Sequence, residues 1–220
     1  MLQVKICGIK RVEQGRAIAD LGATALGYIC VEKSPRYIQP AAIAPITAAT
    51  PDVQHFGVFA NAPLSEVIIT TKTAGLTVVQ LHGDETPATC QLLRDALSHS
   101  DLPKVKLVKA FRVRSAEDLA STLRYEPYVD MLLLDAYHPD QLGGTGKTLD
   151  WPTLKAFSPN RPWFLAGGLT PDNIAAALSQ LSPNGIDLSS GVERSPGDKD
   201  LDKVRQLFEH IRLVEQSQIA

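Results

Sequence analysis

Eight apolar strand-like segments alternate with amphipathic helical segments along this chain of 220 residues, and that repetition limits the folds it can adopt. The predicted strands cover residues 2–7, 25–29, 53–59, 76–81, 104–111, 129–134, 162–166 and 185–188. No two neighbouring strands are spaced for a hairpin, so they are expected to run parallel with helical crossovers. Eight regular units in this length favour a closed α/β fold, the (β/α)8 or TIM barrel, over an open doubly wound sheet.

The clearest helical segments cover residues 12–21, 64–73, 87–97, 115–125, 171–181 and 201–214. Three of them have start signals, which are Asn61 with Pro63, Thr86 with Pro87, and Thr170 with Pro171. The second and sixth helices, after Pro40 and after Trp151, have the weakest patterns. No linker or shift in composition divides the chain, so residues 1–220 are predicted to form a single barrel domain.

The composition excludes several classes of protein. Lys and Arg total 22 against 24 Asp and Glu, so no basic excess indicates nucleic acid or an anionic membrane as a partner. Cysteines at positions 7, 30 and 90 are too few and too scattered for a disulfide framework or a zinc site, which fits a reducing, cytoplasmic location. The sequence shows no signal peptide or membrane span, and its balanced charge favours a monomer.

In a barrel of this type the chemistry lies at the C-terminal ends of the strands. Polar or flexible residues end the predicted strands or open the following loops at Cys7, Arg36, Asn61, His82, Arg112, Asp135, Gly167-Gly168 and Ser189-Ser190-Gly191. Lys5, Gln80 and Asp187 have the strand parity that faces inward. Barrel closure is expected to gather these side chains around one mouth.

A phosphate site is the strongest local signal. Gly167-Gly168 follows the seventh strand, and Ser189-Ser190-Gly191 follows the eighth as a turn of small residues before a short helix. Such turns let backbone N–H groups approach an anion, and the loops after strands seven and eight form the usual phosphate cradle of this fold. The alternative is that the glycines only make tight turns.

The remaining candidates each allow two interpretations. Cys7 is a catalytic thiol at a strand end or a small buried packing residue, and Asp135 is an inward acid or a loop cap. Arg36 could pair with a substrate carboxylate or stay solvated, and His82 is a pocket group or a structural hydrogen-bonding residue.

The long loop at residues 136–149 has a glycine-rich centre, Gly143-Gly144-Thr145-Gly146-Lys147-Thr148. A nucleotide-binding P-loop needs a glycine five positions before Gly146, where this chain has Gln141, so that interpretation is rejected. A lid over the site is the better interpretation.

Taken together, these motifs resemble the phosphoribosylanthranilate isomerase family of tryptophan biosynthesis nearly from end to end. The resemblance rests on Lys5-Ile6-Cys7-Gly8, Ser34-Pro35-Arg36-Tyr37, Gly57-Val58-Phe59-Ala60-Asn61, Gln80-Leu81-His82-Gly83, Leu134-Asp135, the loop at 143–151, Ala166-Gly167-Gly168-Leu169 and Asp187-Leu188-Ser189-Ser190-Gly191-Val192-Glu193.

The resemblance implies an Amadori rearrangement of N-(5'-phosphoribosyl)anthranilate, with Asp135 as general acid and Cys7 as general base. It assigns Arg36 to the anthranilate carboxylate and Asp187 to orienting the substrate. Lys5 and His82 are further candidate substrate-binding residues. It implies backbone amides around Gly168 and Ser190-Gly191 for the phosphate, and no metal or organic cofactor. A thiol is mostly protonated at neutral pH, and we expect Lys5, on the same strand face, to support the Cys7 thiolate.

Three alternatives are weighed against this function. The related histidine-pathway isomerase performs the same rearrangement but has carboxylates at both catalytic positions, so Cys7 argues against it. A Schiff-base aldolase would use Lys5 as its nucleophile. A non-catalytic phosphosugar-binding barrel would bind product analogues without turnover.

Overall fold

Eight parallel strands close into a barrel in the computed structural model, which describes residues 2–102, 104–136 and 151–219. The strands are β1 (Gln3–Cys7), β2 (Ala25–Ile29), β3 (Gln54–Phe59), β4 (Val78–Leu81), β5 (Lys106–Val113), β6 (Met131–Ala136), β7 (Trp163–Ala166) and β8 (Gly185–Leu188). Each strand pairs with the next, and β1 pairs with β8 in a register that opposes Lys5 to Asp187. The predicted (β/α)8 barrel is confirmed.

One helix follows each of the eight barrel strands. The helices are α1 (Val12–Asp20), α2 (Pro40–Ala49), α3 (Leu64–Ala74), α4 (Pro87–His99), α5 (Ala116–Thr122), α6 (Trp151–Lys155), α7 (Ile174–Gln180) and α8 (Leu201–Ile219). Among the described residues, no helix is long and apolar enough to cross a membrane.

Strand alternation divides the core into two layers. Val4 and Ile6 belong to the layer between the barrel and its helices, whereas Phe56, Leu133 and Phe164 belong to a cluster inside the barrel. The rings of Phe56 and Phe164 lie 6.1 Å apart between centroids. The apolar face of β1 therefore packs outward, which leaves its Lys and Cys positions on the interior.

The start signals of the helices are only partly confirmed. The Thr86 hydroxyl accepts a hydrogen bond from the Thr89 N–H and caps α4 as predicted. The start of α7 at Pro171 was wrong, because Thr170 and Asn173 bond each other's backbone N–H groups in a turn and the helix begins at Ile174. Asn61 does not cap α3 either.

A hairpin after β8 was not predicted. A short 3-10 turn (Ser190–Val192) leads into β9 (Glu193–Ser195), which pairs antiparallel with β10 (Asp198–Lys199). Strands of three and two residues are too short to carry a hydrophobic pattern. The loop predicted to act as a lid lies, from residue 137 to 149, outside the described residues.

Candidate active site

One cavity of about 490 Å³ opens at the C-terminal ends of the strands. Its lining includes most of the residues singled out in the sequence, namely Cys7, Arg36, His82, Arg112, Asp135, Gly167, Gly168, Asp187, Ser189 and Ser190. The expectation that closure gathers the strand-end residues around one mouth is confirmed for these ten. Lys5 lies below the cavity, and Asn61 lines a neighbouring one that shares His82 and Arg112.

Lys5 is fully buried and forms the polar centre of the barrel. Its Nζ donates hydrogen bonds to Gln80 Oε1 at 2.8 Å and to Asp187 Oδ2 at 2.8 Å, and it lies 5.1 Å from the centre of the Phe56 ring. Burial lowers the pKa of Lys5, but the Asp187 carboxylate and Cys7 more than offset this, and the net pKa is raised. Lys5 therefore keeps its positive charge beneath the cavity.

Cys7 lies at the edge of this charged centre and is 5% exposed. A Cβ on Gly27 would come within 2.7 Å of Cys7 Sγ and 2.9 Å of Lys5 Cε, so glycine on β2 leaves room for both side chains. Burial raises the pKa of the Cys7 thiol; Lys5 and Lys199 lower it in part, and Asp187 adds to the rise. The cations therefore favour a thiolate that burial disfavours.

Asp187 keeps one acceptor without a partner. Its Oδ2 receives Lys5, whereas its buried Oδ1 accepts no hydrogen bond from any described residue. A buried carboxylate oxygen normally has a donor, and Asp187 lines the cavity. Oδ1 is therefore a buried acceptor without a donor among the described residues.

His82 and Asp135 form a second polar pair, with His82 Nε2 3.8 Å from Asp135 Oδ2. Because Gln80 Oε1 accepts from Lys5, the Gln80 amide N–H donates to His82 Nδ1 at 3.0 Å. That bond assigns the remaining ring proton to Nε2, which faces Asp135. A continuous polar chain thus runs from Asp187 through Lys5, Gln80 and His82 to Asp135.

The two predicted phosphate loops pack directly on one another. Gly167 and Gly168 have φ angles of 89° and 61°, a region that favours glycine. A Cβ on Gly191 would lie 1.9 Å from the Leu169 carbonyl oxygen, so only glycine permits this contact. Ser190 and Gly191 begin a 3-10 turn, whose first N–H groups have no acceptor within the turn.

Arg36 lines the cavity but is already bound to a carboxylate. Its Nε donates to Glu193 Oε1 at 3.0 Å and its Nη2 donates to Glu193 Oε2 at 2.6 Å. Glu193 also accepts from Lys199 Nζ at 2.7 Å and from the Gly197 N–H at 3.0 Å. Although burial acts to raise it, these donors hold the pKa of Glu193 down at about 2. Arg36 keeps three of its five N–H donors for other partners.

Sequence reasoning missed the charged partners of this site. Glu193 ends one of the family motifs, but its sequence context indicates no role for it. Nothing in the sequence marks Lys199, which is almost fully buried. Lys109, on β5, is another buried lysine. Its Nζ lies 3.3 Å from Glu85 Oε2 and donates to the Gly83 carbonyl at 2.8 Å. Glu85 in turn accepts from the Asn61 N–H, so this pair joins the loops after β3 and β4.

Two further cysteines, Cys30 and Cys90, lie outside the cavity lining. Cys30 and Cys90 are free and buried, and burial raises their pKa values to about 12 and about 11. Within residues 2–102, 104–136 and 151–219, no group of three or more His, Cys, Asp or Glu side chains could hold a metal ion.

A closed parallel barrel with titratable side chains and two glycine-rich loops at one mouth defines the class of TIM-barrel enzymes. Within that class, the model of the family described as N-(5'-phosphoribosyl)anthranilate (PRA) isomerase matches residues 4–210. The N-(5'-phosphoribosyl)anthranilate isomerase of Nostoc punctiforme is 59% identical over 211 residues, covering 96% of this chain and 98% of that protein. The chain belongs to this family of isomerases of tryptophan biosynthesis.

Solved structures agree with this assignment. The phosphoribosyl anthranilate isomerase of Thermotoga maritima has a TM-score of 0.84 and 33% identity, covering 96% of this chain and 99% of that one. A phosphoribosyl anthranilate isomerase in complex with reduced 1-(o-carboxyphenylamino)-1-deoxyribulose 5-phosphate has a TM-score of 0.80 and 31% identity, with coverage of 96% and 99%.

Proposed function

We propose that this chain rearranges N-(5'-phosphoribosyl)anthranilate to 1-(2-carboxyphenylamino)-1-deoxyribulose 5-phosphate. The observation that carries the proposal is that Cys7 and Asp135 line one cavity together with residues of both predicted phosphate loops. An acid, a base and a phosphate site at one mouth are the groups that an Amadori rearrangement of a phosphosugar requires. A structural relative was solved with the reduced product, which supports the same substrate class.

Asp135 acts first in this mechanism. Its carboxylic acid protonates the furanose ring oxygen, the C1'–O bond breaks, and the nitrogen lone pair forms an iminium ion. The Asp135 side chain is 36% exposed, so it can regain a proton from water. The Nε2 proton of His82 faces Asp135 at 3.8 Å between Nε2 and Oδ2, and its positive dipole end favours the carboxylate that this step leaves behind.

Cys7 acts second, as the base. Its thiolate removes the proton from C2' of the iminium ion, the electron pair neutralises the nitrogen, and the resulting enolamine tautomerises to the ketone. Lys5 stabilises the thiolate electrostatically. Atoms and electrons balance without an oxidant or a cofactor, because the reaction only moves protons within one substrate.

Substrate binding uses groups that have free hydrogen-bonding capacity. The N–H groups of Gly168, Ser190 and Gly191 bind the phosphate at the two packed loops. Asp187 Oδ1, which accepts no bond from a described residue, receives a sugar hydroxyl. The unused N–H groups of Arg36 bind the anthranilate carboxylate.

The rival use of Lys5 as a Schiff-base nucleophile has no support in its environment. Such a lysine needs a lowered pKa, whereas the pKa of Lys5 is raised by Asp187 and Cys7 despite its burial. Borohydride in the presence of substrate should therefore leave Lys5 unmodified, as checked by mass spectrometry. A trapped adduct on Lys5 would favour the aldolase instead.

The test of the proposed function is the loss of substrate fluorescence when enzyme is added. Cys7→Ser and Asp135→Asn are each expected to lower kcat by about 100-fold or more, because positioned acids and bases contribute at least that much. Cys30→Ser is the matched control, since Cys30 is a buried thiol outside the cavity lining. Folded Cys7 and Asp135 variants with unchanged rates would refute the roles, and binding of reduced product without turnover would indicate a non-catalytic barrel.

The monomeric state and the cytoplasmic location stay predictions. Light scattering on the purified chain tests the first, and fractionation of cells that express it tests the second.

A further inference from the structure

The β9–β10 hairpin brings a buried ion pair against the cavity at Arg36. The side chains of Glu193 and Lys199 are 4% and 0% exposed, whereas that of Arg36 is 23% exposed. Two cations share one carboxylate, so the cluster carries one excess positive charge. Arg36 is the member of this cluster that lines the cavity, so the excess positive charge lies at the cavity wall.

Glu193 fixes the orientation of the Arg36 guanidinium group. Its two oxygens bind the Nε and Nη2 edge in a fork geometry, which sets the plane of the group. One Nη1 hydrogen and the second Nη2 hydrogen lie on the adjacent, end-on edge of the same plane. That edge has the donor spacing that a second carboxylate accepts.

Lys199 in turn fixes Glu193 and connects it to the catalytic strand. Its Nζ donates to Glu193 Oε1 at 2.7 Å and to the Ser189 carbonyl at 3.1 Å. The Ser189 hydroxyl donates to the Cys7 carbonyl at 3.1 Å. The hairpin therefore contacts both the Arg36 end of the cavity and the loop that carries Ser190.

We propose that Glu193 is a positioning residue that aims Arg36 at the aromatic carboxylate of the substrate, and that Lys199 keeps Glu193 in place. The inference rests on the proposed function, since it takes the anthranilate carboxylate as the ligand of Arg36. Glu193 touches no substrate atom in this scheme. Its effect appears as a preference for ligands that bear the carboxylate.

Two inhibitors test this preference. One is the reduced product with its 2-carboxyphenyl group, and the other is the same compound with a plain phenyl group. Wild-type protein should bind the carboxylated compound more tightly. Glu193→Gln should reduce that ratio of Kd values by about tenfold or more, because bonds to charged groups are worth at least that factor. Binding of the phenyl compound should stay within about twofold, because it depends on the phosphate loops.

Arg194→Gln is the matched control on the same hairpin. Arg194 is exposed, with its Nε 3.5 Å from Asp200, and its replacement should leave both Kd values unchanged. If Glu193→Gln does not fold because it leaves the Lys199 ammonium buried without its carboxylate, Glu193→Gln with Lys199→Met removes both charges and should show the same loss of preference.

Several outcomes would overturn the inference. A folded Glu193 variant that keeps the wild-type preference would show that Arg36 needs no positioning, and equal weakening of both inhibitors would assign Glu193 to general stability. If the wild-type protein bound both inhibitors equally well, Arg36 would not bind the aromatic carboxylate. Loss of the proposed function is distinguished from all of these, because it appears as absent turnover in the wild-type protein.

Discussion

Replacing Lys5 with Met tests the central idea about Cys7. The substitution keeps most of the side-chain volume and removes the ammonium group that lies fully buried beneath the cavity. In the wild-type protein this group binds Asp187 and Gln80 and lowers the pKa of Cys7 against the effect of burial. The variant should therefore change both the stability of the fold and the titration of the thiol.

The stability effect follows from the partner that remains. Asp187 would lose the donor to Oδ2 while its Oδ1 already accepts no bond from a described residue. Breaking a buried ion pair in this way destabilises proteins by about 3–5 kcal/mol, and the free energy of unfolding in urea should fall by that amount at neutral pH.

The effect on the thiol follows from the lost charge. A nearby cation lowers the pKa of an acid, so removing the Lys5 ammonium should raise the pKa of the Cys7 thiol further. At a fixed pH below the pKa, the thiolate fraction of Cys7 then falls. The pH dependence of kcat/KM should move to higher pH.

Alkylation by iodoacetamide, followed at Cys7 by peptide mass spectrometry across pH, measures the thiolate directly. Lys109→Met is the control, because Lys109 is also buried and lies 3.3 Å from the carboxylate of Glu85. It should lose comparable stability and leave the Cys7 profile unmoved. A folded Lys5→Met protein with the wild-type profile would refute the role of Lys5, and an equal shift in both variants would indicate general loosening.

Three further predictions concern particular contacts. Burial lowers the pKa of His55, so below about pH 6.5 the unfolded state binds more protons than the folded state, and the free energy of unfolding should fall. Urea denaturation of His55→Gln at several pH values should show a smaller fall. An unchanged dependence of the free energy of unfolding on pH would assign the effect to other groups. Gly191→Ala places a Cβ 1.9 Å from the Leu169 carbonyl, so the inhibition constant of inorganic phosphate should rise; an unchanged constant would separate this packing from phosphate binding. Thr86→Ala removes the cap of α4 and should lower the free energy of unfolding by about 1 kcal/mol in urea, whereas no loss would mean that the cap is replaced by water.

The barrel was predictable because its signal is local and repeated. Each strand is a short apolar run whose alternation assigns an inner and an outer face, and β2 and β8 have the predicted bounds. Helix starts were less predictable, as at α7, where reciprocal bonds between Thr170 and Asn173 close a turn just before the helix begins at Ile174. The β9–β10 hairpin is held by partners distant in sequence, and its own residues give little indication of it.

The candidate site was predictable in position but not in its pairings. The rule that chemistry lies at strand ends grouped Cys7 with Asp135 correctly in one cavity lining. Arg36 is 157 positions from its partner Glu193 along the chain. Lys5 is 75 positions from Gln80 and 182 from Asp187, and such pairs form only when the barrel closes. A solvated Arg and an Arg bound to Glu193 have the same sequence neighbours, so the choice between them needs the structure.

A lysine in the middle of a barrel is tolerable only if its charge is compensated, and here the compensation also organises the site. The ammonium of Lys5 donates hydrogen bonds to the carboxylate of Asp187 and to the amide oxygen of Gln80. Gln80 therefore has only its NH₂ group left to bond His82. The His82 ring must then carry its proton on the nitrogen that faces Asp135. An apolar residue in place of Lys5 would remove the field at Cys7 and also release Gln80 to turn over. The charge beneath Cys7 is thus connected by hydrogen bonds to the tautomer of His82, the residue beside Asp135.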